Sequence, residues 1–109
     1  DGNCEYKDDV GGKARIVRPR GLTHDGTSLY WAEYNSNTIR QGILATQSVS
    51  TLVGKHCGSK ACEAPCTGSY VENIGKEARL RQPSAVVYHH PSGSLFFVDA
   101  GNAVIRRIQ

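Results

Sequence analysis

Four cysteines carry the most reactive chemistry in this chain of 109 residues. Cys57, Cys62 and Cys66 fall within one ten-residue stretch, and Cys4 lies near the start. An even count in a small, Gly-containing chain reads as two disulfides formed in an oxidising compartment. Four cysteines allow three pairings; closeness in sequence favours one bridge within the loop and a second from the remaining cysteine to Cys4. Zinc is the rival reading, with His56 or a histidine of the His89–His90 pair as fourth ligand. The C-x₄-C and C-x₃-C spacings make it the weaker one, and free buried thiols are the remaining reading.

Charged residues recur in pattern. Glu33 and Arg40 flank the turn "YNSN", and Asp99 and Arg106 flank a second turn, "AGN". A four-residue turn sets Glu33 opposite Thr38 and Arg40 diagonally on the same face. Each pair then ties its own hairpin, worth ~0.2–1 kcal/mol where exposed. Recurrence at equivalent places favours a structural role over a unique ligand site. Arg15, Arg18, Arg20, Arg79 and Arg81 gather ahead of the first strand of each half. Arg15 and Arg79 repeat and read as structural, so Arg18, Arg20 and Arg81 are the candidate ligand-binding cations. His24, His89 and His90 stand at the turn after that strand. No nucleophile–base pair or signature motif accompanies them, so no catalytic residue, metal or cofactor is expected.

A net charge of +3 is too mild for a committed nucleic-acid binder, which usually shows a clear basic stripe. No run of about 18 apolar residues exists to cross a membrane as a helix. No apolar leader follows a basic start, and the chain opens "DGNC" without Met, as expected of a processed or excised piece. Hydrophobic content of 39% is low for so small a volume, so disulfides or neighbouring chains are expected to help.

The elements that must position these residues come from a repeat. "ARIVRPRGLTHDGTSLYWAEYNSNTIR" aligns with "ARLRQPSAVVYHHPSGSLFFVDAGNAVIR" after a two-residue insertion, giving a period of about 65 residues. Each unit reads as β: a short apolar run, a turn at Asp25-Gly26 or Pro91-Ser92-Gly93, an aromatic strand, a tight polar turn and a third strand. "VSTLVG" supplies a fourth strand to the first unit only. The aromatic pairs Tyr30–Trp31 and Phe96–Phe97 send one ring to each face, where both faces need bulk to pack sheet on sheet.

A four-strand meander in tandem is the blade of a β-propeller. The run "ARL..P" followed by "SLFFVDAGNAVIRRI" resembles an NHL repeat, and "SLYWAEYNSNTIR" is similar to the related YWTD repeats. The resemblance implies an all-β chain of about two blades: a lead over 1–13, a first blade over 14–54, a cysteine-containing interblade loop over 55–77, and a second blade over 78–109 without its last strand. It implies an extracellular or secretory-pathway binding module whose partner is a protein or the remaining blades of the same propeller. The chain would be either a fragment of a longer propeller or a component of a symmetric assembly, such as a homotrimer. Two alternatives follow from the same family: an RNA-binding NHL propeller and a metal-dependent lyase or hydrolase propeller.

Overall fold

The computed structural model describes residues 6–55 and 78–108. All four cysteines, and with them the expected disulfides, lie outside the described residues. The chain is all-β, with antiparallel pairing throughout. The first sheet contains β1 (Asp9–Val10), β2 (Pro19–His24), β3 (Ser28–Glu33), β4 (Thr38–Ile43) and β5 (Ser48–Gly54). Its order is β1-β5-β4-β3-β2, the expected meander with β1 added outside β5. The second sheet holds β6 (Pro83–His89), β7 (Ser94–Asp99) and β8 (Val104–Ile108), in that order. Among the described residues no helix is long and apolar enough to cross a membrane.

The two sheets pack face to face, with β6 against β2 and β3. Strand alternation decides which residues meet. Ala32, Ile39 and Val53 of the first sheet bury against Leu95 and Phe97 of the second, with Ala78 and Leu80 closing the seam. Gly21 sits where β2 passes β6: its φ is +64°, and a β-carbon there would lie 3.3 Å from the Ala85 Cα. Both the left-handed backbone and the close approach call for glycine.

The repeated ion pairs are where the hairpin register puts them, with Glu33 paired to Thr38 and Trp31 to Arg40. They are buried, however, so the small value of an exposed pair does not apply to them. Glu33 and Arg40 have no exposed side-chain surface, and Arg40 Nη1 lies 2.9 Å from Glu33 Oε2. The other donors to Glu33 are Val17 N at 3.0 Å and Trp31 Nε1 at 2.9 Å. Arg40 also donates to the carbonyls of Arg15 and Lys7 and to Asp8 Oδ1. Its guanidinium lies 4.1 Å from the Tyr6 ring centroid. The second unit repeats the plan: Arg106 Nη1 donates to Asp99 Oδ2 and to the Arg79 carbonyl, and Arg81 N donates to Asp99 Oδ1. Burial pushes Glu33 above the usual carboxylate range, opposed by Arg40 and the donors around it. Burial alone would lower Arg40, but Glu33 holds it above its ordinary value.

The segment before β1 straps this network from outside. Asp8 accepts from Thr51 N at 3.0 Å as well as from Arg40, and the Tyr6 hydroxyl bonds Thr51 and Thr38.

Two outcomes are expected. Arg40→Ala strands Glu33 in the interior without its countercharge and should destabilise by ~3–5 kcal/mol in a denaturant melt; a loss below ~1 kcal/mol would contradict a buried pair. The Tyr6 phenol is pushed up from 10.0 to about 12, chiefly by burial. A folded value above the unfolded one means its stabilisation is complete below pH 10.0 and is lost as pH rises through about 12. Stability measured from pH 8 to 12 should fall less steeply in Tyr6→Phe, and superimposable curves would count against the burial.

Candidate functional site

One end of the molecule gathers the starts of β2 and β6 and the β3–β4 turn. Arg18 and Gln82 hold equivalent positions there, each directly before a proline and each with left-handed backbone, at φ 43° and 53°. A non-glycine residue before proline is normally confined to extended backbone, so both positions are strained. The strain recurs in both units and directs the chain into the first strand of each sheet.

The side chains here link the sheets. The Arg20 guanidinium stacks 4.1 Å from the Tyr34 ring centroid. Tyr34 donates its hydroxyl to Gln82 Oε1 at 3.2 Å, and Gln82 N donates to Asn37 Oδ1 at 2.7 Å. The stem of Arg81 lies over Gly101, where a β-carbon would come 2.3 Å from the Arg81 Cγ. Gly101 N donates to the Arg81 carbonyl at 2.8 Å. Arg18, Arg20 and Arg81 are all exposed. The three cations expected from sequence therefore stand at one end. Arg20 is tied to the second sheet through Tyr34 and Gln82, and Arg81 precedes Gln82 directly. The carboxylates of the two hairpins, Glu33 and Asp99, are buried and engaged. Among the described residues, Arg18, Arg20, Arg81 and Gln82 bring guanidinium and amide groups to this rim, and both can donate to oxyanions.

The sequence reading passed over Tyr34, Asn37 and Gln82. Tyr34 opens the "YNSN" turn and Gln82 is the repeat partner of Arg18, so the repeat pointed at both positions. Their contact across the two sheets had no local signal.

The histidines lie at the opposite end and make ring contacts with one another and with neighbouring aromatics. His24 and His90 are 6.3 Å apart edge to face, Tyr88 and His90 4.7 Å, and His89 Nδ1 lies 2.7 Å from Ser92 Oγ. Among the described residues no group of three metal-ligating side chains occurs. In the adjoining turn, Asp25 accepts from Thr27 N, Ser28 N and the Tyr30 hydroxyl. These bonds, that from Thr27 N foremost, hold its carboxyl well below the usual range.

No family model matches the chain, and no curated protein does. Solved structures do match. An auxiliary nutrient binding protein from Bacteroides thetaiotaomicron is 24% identical over 95% of this chain and 25% of its own, with a TM-score of 0.72. A second auxiliary nutrient binding protein, from Bacteroides ovatus, is 17% identical with the same coverage and a TM-score of 0.72. A Bacteroides thetaiotaomicron chain with a provisional phosphatase name is 23% identical over 95% of this chain and 24% of its own, at 0.70. At these identities the likeness establishes the fold. The chain spans about a quarter of the length of these neighbours.

Tyr34→Phe removes the bond to Gln82 and leaves that amide oxygen without its donor. Chemical denaturation should show a loss of ~0.5–1.5 kcal/mol, and an unchanged midpoint would mean the bond does not join the sheets.

Proposed function

We propose that this chain is a pair of NHL-type β-propeller blades serving as an extracellular binding module, with the arginine rim as its ligand end. The observation that carries the reading is the Arg20–Tyr34–Gln82 chain, which joins both sheets at the end where Arg18, Arg20 and Arg81 are exposed. Binding sites form where several blades contribute to one end of such a fold, and this end draws on both. The ligand class is an oxyanion, with carboxylate the best fit to the planar guanidinium fork. Two neighbours carry nutrient-binding names, which supports recognition over catalysis. The four cysteines favour an oxidising, extracellular setting. The reading includes no catalytic step and no cofactor.

A glycan array carrying carboxylated and neutral saccharides, with an RNA oligonucleotide alongside, tests the ligand end. Salt-sensitive binding to carboxylated glycans is expected. Arg18→Ala and Arg81→Ala should each weaken it severalfold while leaving the melting midpoint nearly unchanged, as exposed substitutions do. Binding indifferent to these arginines, or preference for RNA, would overturn the assignment.

A further inference from the structure

Each sheet has two chemically distinct faces, and the repeat assigns them. In the second sheet Val86, Leu95 and Phe97 form a front face that packs on the first sheet. Their equivalents in the first sheet are Leu22, Leu29 and Trp31, which line an open hollow of about 720 Å³. In the first sheet Tyr30, Ala32 and Ile39 form a back face, covered by the second sheet. Their equivalents in the second sheet are Phe96, Val98 and Ile105, and nothing described covers those.

Burial records the asymmetry at equivalent positions. Ile39 is 0% exposed and Ile105 is 74% exposed. Leu80 is 1% exposed, and its equivalent Ile16 is 47% exposed. Each comparison sets one branched aliphatic residue against another, isoleucine against isoleucine and leucine against isoleucine, so what differs is the neighbour. One front-on-back interface is made inside the chain, and among the described residues one front and one back are left uncovered. Apolar patches of this kind on a small chain mark interaction surfaces.

We infer that the open front of one copy packs on the open back of another, so that copies of this chain associate head to tail through the interface already made within it. The inference rests on the blade reading and names the partner. Such an interface is heterologous: it closes into a ring where the rotation fits and otherwise extends as a filament. A symmetric back-to-back pair would not use the front at all.

Light scattering across a concentration series, with blocked variants, decides it. The wild-type chain should exceed its monomer mass of 11.8 kDa. Ile105→Glu blocks the back and Ile16→Glu blocks the front, both at exposed positions, so each alone should return to the monomer mass with its β circular dichroism intact. Mixed, the two variants should form a one-to-one heterodimer, because Ile105→Glu retains a front and Ile16→Glu retains a back. A wild-type chain that stays monomeric at millimolar concentration overturns the inference. So does association that Ile105→Glu leaves unchanged, or an Ile16→Glu chain that dimerises with itself. A monomer that still binds carboxylated glycans through its arginines would remove the stacking and leave the ligand reading standing.

Discussion

A buried carboxylate–guanidinium pair at the turn end of each hairpin is the constraint on which the rest depends. A buried charge is tolerated only with a countercharge and enough hydrogen bonds to replace water. Glu33 meets that demand by drawing in Arg40, the Trp31 indole and Val17 N, and Asp99 by drawing in Arg106, Asn102 and Arg81 N. The donors come from four places: the carboxylate's own strand, the next strand, the turn, and the segment leading into the first strand. Satisfying one carboxylate therefore fixes the hairpin register and the entry path of the chain together. A slip of one residue would turn both charges of a pair to the other face of the sheet.

That entry path sets the rest of the geometry. With Val17 and Arg81 tethered to carboxylates, Arg18 and Gln82 must turn sharply before Pro19 and Pro83, and their left-handed backbone follows. The same turns bring Gln82 within reach of Tyr34 and Asn37 on the other sheet. The interior network and the exposed rim are thus consecutive consequences of one set of bonds. On the core side, the fixed register lets alternation sort residues into a front and a back for each sheet. Ile39 is sealed by the second sheet while Ile105, the same residue in the same register, lies open.

The repeat made much of this legible. The positions of β2 to β8, the Asp25-Gly26 turn and the pairing of Glu33 with Arg40 could all be read from local pattern. Burial of the pair could not, because a charged residue in an aromatic strand reads as exposed until its donors are known, and those of Glu33 and Arg40 come from as far away as Lys7. The strap of Tyr6 and Asp8 and the short strand β1 were missed for the same reason. A signal did exist: Tyr6, Asp8 and Gly11 precede Ala14 at the spacing at which Tyr70, Glu72 and Gly75 precede Ala78. The repeat therefore begins earlier than the Ala-Arg dipeptide at which the alignment was started.

Amide hydrogen exchange at Val17 and Arg81 tests the central claim most directly. Neither residue lies in a strand, and each donates its N–H to a buried carboxylate, Glu33 or Asp99. Slow exchange at both, comparable to the interior amides of β3 and β7, is the result predicted for carboxylates that organise the chain around them. Exchange at both as fast as in the exposed β4–β5 turn would mean that the carboxylates do not hold the entry segments, and the account would fail at its base.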